Sequence, residues 1–319
     1  MLSVTMVPMD AATFTLTVPD GTALFVRRWL PSGGTSARAV VQIAHGMAEH
    51  SERYSRFAGA LTDAGFAVYA NDHRGHKGTA VTHEDSGYLA DSDGFGTIVE
   101  DLTSVTARAR EEHPGLPVVL FGHSMGSFLA RSYAAEHGRD LAGLILSGTA
   151  GDPGLLGSLG ARVASLQALT RGRRHRSALM DTLSFGQYNS AFKPNRTKFD
   201  WLSRDEAEVD KYVDDEWCGE LFTAGFWTDL LPGLAKVNRD GYVARTPKSL
   251  PILIFSGDQD PVGAAGKGPT EVAERYRRLG FADVTLTLYP QGRHEMLNET
   301  NRDEVTADVI EWLDAHLPH

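Results

Sequence analysis

Residues 117–130 limit what this chain can fold into more than any other stretch. Val118, Val119, Leu120 and Phe121 form an unbroken apolar run, two glycines then bracket a serine, and small and apolar residues follow at helical spacing. This reads as buried strand, sharp turn, helix. Gly122-His123-Ser124-Met125-Gly126 fits G-x-S-x-G, the nucleophile elbow, in which a strained strand-to-helix turn projects a serine hydroxyl above a sheet. A side chain at either glycine would strike the neighbouring strand or helix, and glycine tolerates the backbone angles of such a turn. Gly126, Ser127 and Ala130 let the helix lie close to the sheet and aim its free N-terminal amides beside Ser124. The same five letters also occur in turns whose serine is inert; the strand-turn-helix context separates the two.

Around the elbow the chain alternates between two periods. Residues 13–18 and 23–30 flank the turn signal Pro19-Asp20-Gly21 and predict an antiparallel hairpin, broken by Pro31-Ser32-Gly33-Gly34. Short apolar runs at 39–44, 66–70, 141–146 and 251–257 predict buried strands, and 284–289 predicts a further one. Helical spacing is found at 54–64, from Asp93 to about His113, at 270–279 and at 302–317. The expected fold is α/β, with a mostly parallel central sheet, an antiparallel N-terminal hairpin, and helices on both faces. Between about Gly151 and Pro247 the rhythm fails. Residues 1–150 and 248–319 are therefore expected to form the core, and 151–247 an inserted helical cap. The insertion holds Trp201, Trp217 and Trp227 and an apolar stripe of Leu155, Leu156, Leu159, Val163, Leu166 and Leu169. Most of its apolar residues are expected to form a small core of its own, and a few to line an apolar pocket facing the elbow.

Composition removes several functions. The 319 residues carry 31 basic and 41 acidic side chains, a formal charge of −10 with no basic stripe, which disfavours a nucleic-acid partner. The single cysteine, Cys218, excludes an intrachain disulfide and a thiolate zinc cluster, and suits a reducing, cytoplasmic setting. Residues 1–10 contain Pro8 and Asp10 and lack the pattern of a signal peptide, and no apolar run is long enough to span a membrane.

A serine hydroxyl needs a base to take its proton and a carboxylate to orient that base. Asp258 and Asp260 follow the strand at 251–257, and His294 follows the strand at 284–289. Functional groups of such sheets gather in the loops at the carboxyl ends of the strands, so the base is His294 and the acid is one of the two aspartates. Backbone amides for the oxyanion are expected at Met125, directly after the serine, and at Met47, in the loop after the strand at 39–44. His73 and His76 lie close in sequence but lack the carboxylate partners of a zinc-enzyme site. Neither a metal nor an organic cofactor is expected.

Five blocks, from His45-Gly46-Met47-Ala48-Glu49-His50-Ser51-Glu52-Arg53-Tyr54 through Asn71-Asp72-His73-Arg74-Gly75-His76 and the elbow to Gly257-Asp258-Gln259-Asp260 and Gly292-Arg293-His294-Glu295, give the chain a family likeness. It resembles the α/β-hydrolases similar to monoacylglycerol lipases and bacterial lysophospholipases, often grouped with serine aminopeptidase-like hydrolases. The resemblance implies the α/β-hydrolase fold, Asp260 as the acid, Met47 and Met125 as the oxyanion amides, and a cap over an acyl pocket. One position departs: Lys77 stands where members of the group usually have glycine after the second histidine of the Asp-His-Arg-Gly-His block. The implied activity is hydrolysis of fatty acyl esters through an acyl-enzyme, with a small-molecule ester as partner. Amide or peptide cleavage and a non-catalytic binding role are the alternatives. Arg171, Arg173, Arg174 and Arg176 are either a solvated loop or a contact for an anionic lipid surface.

Overall fold

The computed structural model describes residues 11–33 and 35–317. The expectation drawn from residues 1–10, and Gly34 in the break after the hairpin, lie outside the described residues. β1 (Ala12–Thr17) and β2 (Ala23–Trp29) form the expected hairpin, closed by a turn in which the Gly21 amide donates to the Val18 carbonyl. The chain continues through β3 (Ala39–Ala44), α1 (Ser55–Asp63), β4 (Phe66–Asn71), the single turn α2 (Lys77–Ala80) and α3 (Gly94–Glu112). β5 (Val118–His123), α4 (Met125–His137) and β6 (Gly143–Ser147) follow. β6 starts two residues later than its apolar run, because a 3-10 turn at Gly138–Asp140 leads Leu141 and Ala142 into it.

Eight strands make one sheet in the order β1-β2-β4-β3-β5-β6, continuing into β7 (Ile252–Gly257) and β8 (Val284–Tyr289). β2 runs antiparallel to both β1 and β4; all remaining pairs are parallel. Register sets the function. Ala44 pairs with Gly122, His123 with Ser147, Ser147 with Phe255, and Gly257 with Tyr289. The carboxyl ends of β3, β5, β6, β7 and β8 therefore emerge side by side.

β3 to β7 are buried at every residue, as strands covered on both faces must be. Their period of two divides the side chains between two layers. Val119, Phe121 and Phe255 pack with Phe57 and Leu61 of α1 and with Val305, Val309 and Trp312 of α11 (Arg302–His316). Leu120, Leu144 and Ile254 pack on the other face, with Ile98 of α3, Leu129 of α4 and Tyr276 of α10 (Lys267–Arg278).

Between β6 and β7 lie α5 (Gly154–Arg171), α6 (Ala178–Phe185), α7 (Glu206–Asp214), α8 (Ala224–Lys236) and α9 (Asp240–Val243). The expectation of a separate small core for this insertion needs correction. Met180, Phe222, Phe226, Trp227 and Leu230 join the same cluster as α3 and α4, and only Trp201, Leu202 and Tyr212 form a buried cluster apart. The leucine stripe of α5 is largely unburied: Leu155, Leu156 and Leu169 are 84%, 82% and 84% exposed, and Ala164 is the buried residue of the helix. Among the described residues, no helix is long and apolar enough to cross a membrane.

Candidate active site

Ser124 sits at φ 52° and ψ −119°, a left-handed strain that a non-glycine residue adopts only when its surroundings impose it. The restraints are local. The Ser124 amide donates to the Ser147 carbonyl at 2.9 Å, and the Ser124 carbonyl accepts from the Ser127 amide and hydroxyl at 2.9 and 2.6 Å. A Cβ on Gly126 would stand 2.0 Å from the Ala44 carbonyl oxygen, and one on Gly122 would stand 2.3 Å from the Gly126 oxygen. Any larger residue at either place would push α4 off the sheet.

His294 and Asp260 come together from the loops after β8 and β7. Gly257 makes this possible: a Cβ there would lie 2.0 Å from the Gly292 carbonyl oxygen, so the two loops approach backbone to backbone. His294 Nδ1 lies 3.0 Å from each carboxylate oxygen of Asp260. Asp260 is wholly buried and also accepts from the Ser256 hydroxyl at 3.0 Å and the Val262 amide at 2.9 Å. Asp258, the other aspartate of the sequence reading, points elsewhere and accepts the Gln291 amide at 2.7 Å, bracing the loop. Burial alone would depress the His294 imidazole; the Asp260 carboxylate outweighs it, with Glu295 and Glu49 adding to the same sense, and the net shift is upward. Ser124 and His294 line one cavity. Their hydroxyl-imidazole hydrogen bond is not closed in this structure, an arrangement often seen in catalytic sites without substrate.

The amides of Met47 and Met125 have no hydrogen-bond partner among the described residues. Met125 opens α4, whose first amides are free by construction. Met47 lies in a loop pinned on both sides: the Gly46 amide donates to Glu49 Oε1 at 2.6 Å, and the Ala48 carbonyl accepts from the Tyr212 hydroxyl at 2.8 Å and the Gly219 amide at 3.1 Å.

Several groups at the site carry no motif of their own. Trp201 lays its ring 5.1 Å from that of His294, and the adjacent Leu202 carbonyl accepts the Glu295 amide at 2.8 Å, so the insertion is fastened to the histidine loop. His123, inside the elbow, lies 4.8 Å ring to ring from His294, and burial lowers its pKa to about 4, which keeps it neutral. Arg53 pairs with Glu49 and Glu295 beneath the site. Only contact across 242 residues of chain reveals that pairing.

His45, His73 and His76 of the early loops bond the backbone, whereas His50 pairs with Asp215. The His73 amide donates to His45 Nε2 at 2.9 Å, leaving His45 Nδ1 as the N–H that donates to the Gly46 carbonyl at 2.7 Å. His76 Nδ1 lies 2.9 Å from the Arg74 carbonyl. Lys77 holds φ 27°, on the side of backbone space that favours glycine, and its ammonium bonds Glu52 at 2.8 Å. The arginine run after α5 is largely occupied: Arg173 binds Asp229 and the Ala90 carbonyl, Arg176 binds the Leu221 and His83 carbonyls, and Arg174 stacks on Tyr88.

Two cavities meet at Ser124. One, of about 710 Å³, is walled mainly by apolar side chains including Phe128, Leu156, Met180, Leu183, Trp227 and Leu230, with Asp152, Lys267 and Glu271 also in its lining. The other, of about 740 Å³, adds Glu49, Asp181, Thr197, Lys198 and Glu220 to an aromatic wall.

A parallel sheet with an elbow serine and a carboxylate-bound histidine on neighbouring loops defines an α/β-hydrolase. Residues 35–301 match the sequence profile of the serine aminopeptidase family S33, and the chain belongs to that family. It is 32% identical over 295 residues to a monoacylglycerol lipase of Mycolicibacterium smegmatis, covering 91% of this chain and 92% of the relative. To the human monoglyceride lipase it is 30% identical, covering 91% and 85%. Among solved structures, a thermostable carboxyl esterase from Bacillus coagulans in complex with glycerol superimposes with a TM-score of 0.89 at 29% identity, over 97% of this chain and 99% of that one. A monoglyceride lipase from Saccharomyces cerevisiae shares the fold with a TM-score of 0.76 at 22% identity, over 100% and 99%. The protein is an ester hydrolase of the α/β-hydrolase class, resembling the monoacylglycerol lipases.

Proposed function

We propose that the protein cleaves carboxylic esters between a fatty acyl chain and a small polar alcohol, monoacylglycerols or lysophospholipids, through an acyl-enzyme on Ser124. His294 removes the hydroxyl proton as Ser124 attacks the ester carbonyl, and the amides of Met47 and Met125 hold the oxyanion. His294 then protonates the departing alcohol, and a water activated by the same imidazole releases the acid. Asp260 keeps the imidazole in the tautomer with its proton on Nδ1 and stabilises the imidazolium.

The observation that carries this reading is the meeting of two cavities at one serine: the more apolar chamber suits the acyl chain, and the one with more polar groups set in an aromatic wall suits the alcohol. In this reading residues 151–247 are the cap over both chambers, and 1–150 with 248–319 are the core. The exposed leucines of α5, more than the occupied arginines after it, are the surface by which the cap makes transient contact with lipid aggregates. A cytoplasmic setting belongs to the same reading. The family's aminopeptidase description keeps amide cleavage as the second activity to assay.

The test is Ser124→Ala, assayed on p-nitrophenyl butyrate. Turnover is expected to fall by about 10⁴- to 10⁶-fold, as for other triads, and retained turnover defeats the assignment. A fluorophosphonate probe that labels the wild-type protein and not the variant excludes a non-catalytic role. A side-by-side panel of monoacylglycerols, lysophospholipids and aminoacyl amides then identifies the leaving group.

A further inference from the structure

We propose that Arg53 is a positioning residue that locks the Met47 loop to the His294 loop, gripping Glu49 on one side and Glu295 on the other. This rests on the roles assigned above to Met47, Ser124 and His294.

The geometry is a two-sided clamp. Arg53 Nη1 and Nη2 donate to the two oxygens of Glu295 at 2.6 and 2.7 Å, and Nη1 also donates to Glu49 Oε2 at 2.8 Å. Glu295 and Glu49 are buried, at 7% and 5% side-chain exposure, Arg53 is 11% exposed, and its guanidinium lies 4.8 Å over the Tyr212 ring. Tyr212 in turn holds the Ala48 carbonyl. Each carboxylate is bound to a different part of the machinery. The second oxygen of Glu49 accepts the Gly46 amide at 2.6 Å and the Tyr54 hydroxyl at 2.8 Å, which holds the His45–Gly46 peptide, one unit before the peptide that carries the Met47 amide. Glu295 directly follows His294, and Asn298 Nδ2 donates to it at 2.9 Å.

Position gives the clamp a role beyond holding the fold. A Cβ placed on Gly46 would lie 2.7 Å from Glu49 Oε1 and 3.2 Å from the Ser124 Cβ, so the Glu49 carboxylate stands beside the reacting serine. An uncompensated negative charge there would oppose the oxyanion that forms during attack. Arg53 removes that opposition while leaving Glu49 free to aim the loop. Burial works against charge on Glu295 and Arg53, yet Glu295 is lowered to about 2 because Arg53 outweighs its burial, and Arg53 stays charged well beyond its ordinary range. A planar fork with fixed donors can satisfy both carboxylates at once; a lysine ammonium is a point charge and cannot hold both in that geometry.

Arg53→Lys, Arg53→Met and Glu295→Gln in the full chain test this, with kcat and KM measured on p-nitrophenyl butyrate per active site, counted by fluorophosphonate labelling carried to completion. Arg53→Lys is expected to lower kcat per labelled site about 10- to 100-fold, the scale of a small misplacement of reacting groups, with KM within about 3-fold. Affinity for a trifluoromethyl ketone, whose hydrated or serine-bound oxygen needs the oxyanion amides, should fall by the same factor. Glu295→Gln should show the same pattern more weakly, and Arg53→Met more strongly. Should Arg53→Met fail to fold, Arg53→Lys keeps the charge and carries the test. Unchanged kcat per labelled site in Arg53→Lys, with only fewer sites labelled or a lower melting temperature, means a structural role alone and overturns the proposal. Ser124→Ala is the control: if it is inactive while Arg53→Lys is normal, only the clamp falls; if it retains turnover, the assignment beneath the clamp falls with it.

Discussion

The wall of the cavity built by the sheet and the wall built by the insertion are made in opposite ways. The sheet side sets its groups in loops that leave adjacent strands in fixed register, and buried Asp260, Glu49 and Glu295 are each held by several donors. The insertion side is helical, shares the main apolar cluster along α8, and leaves the leucines of α5 in the open. Chemistry needs reacting atoms placed to a fraction of an ångström, which paired charges on rigid strands supply. Lining an apolar cavity needs surface with little directional demand, and packed helices supply that.

The largest expected effect lies on the sheet side. Asp260→Asn should lower kcat by about 10³- to 10⁴-fold, as loss of the orienting carboxylate does in other triads, whereas Asp258→Asn should stay within about 3-fold. Steady-state kinetics of both variants decides it, and a larger loss at Asp258 reverses the assignment of the acid.

Acid stability comes next. Burial pushes His73 down to about 3, His76 and His123 to about 4, and His45 well below its usual range. Folded imidazoles with depressed pKa values bind fewer protons than the unfolded chain, so stability is present above about pH 6.5 and is lost as pH falls from there toward 4. Each histidine contributes up to about 1.4 kcal/mol per pH unit in that window. All four belong to the sheet side, and the insertion's one histidine, His175, is not among them. Urea denaturation midpoints measured from pH 8 to 4 should hold steady above neutrality and then drop; a flat profile down to pH 5 would show that these rings are not buried neutral.

The smallest effect is expected on the insertion. Replacing exposed Leu155 and Leu169 by Ser should leave hydrolysis of dissolved p-nitrophenyl butyrate within about 2-fold, because exposed surface changes seldom cost more than about 0.5 kcal/mol. Hydrolysis of monoacylglycerol presented in emulsions or vesicles should fall several-fold. Equal losses on both substrates would erase the division between the two walls.

The particular residues show what was legible. Ser124, His294 and the Met125 amide follow from the ends of strands, since a buried strand and its breaking residues are local signals. Asp258 and Asp260 were inseparable by position; the hydrogen bonds around them differ only once the two loops meet at Gly257. The α5 leucines misled for a definite reason: a spacing of three and four marks one face of a helix and says nothing of what covers it.

Sequence alone thus determined the order of strands and helices, the elbow, and the post-strand positions of Asp258, Asp260 and His294, because short-range sterics and hydrophobic period act within a few residues. Only the tertiary structure decided that Arg53 lies between Glu49 and Glu295 and which side of the insertion stays bare, and it alone sets the Asp260 carboxylate against the imidazole, a choice that position left open and the family likeness had made. Those outcomes depend on contacts between segments far apart in the chain, where strand register and packing choose the partner.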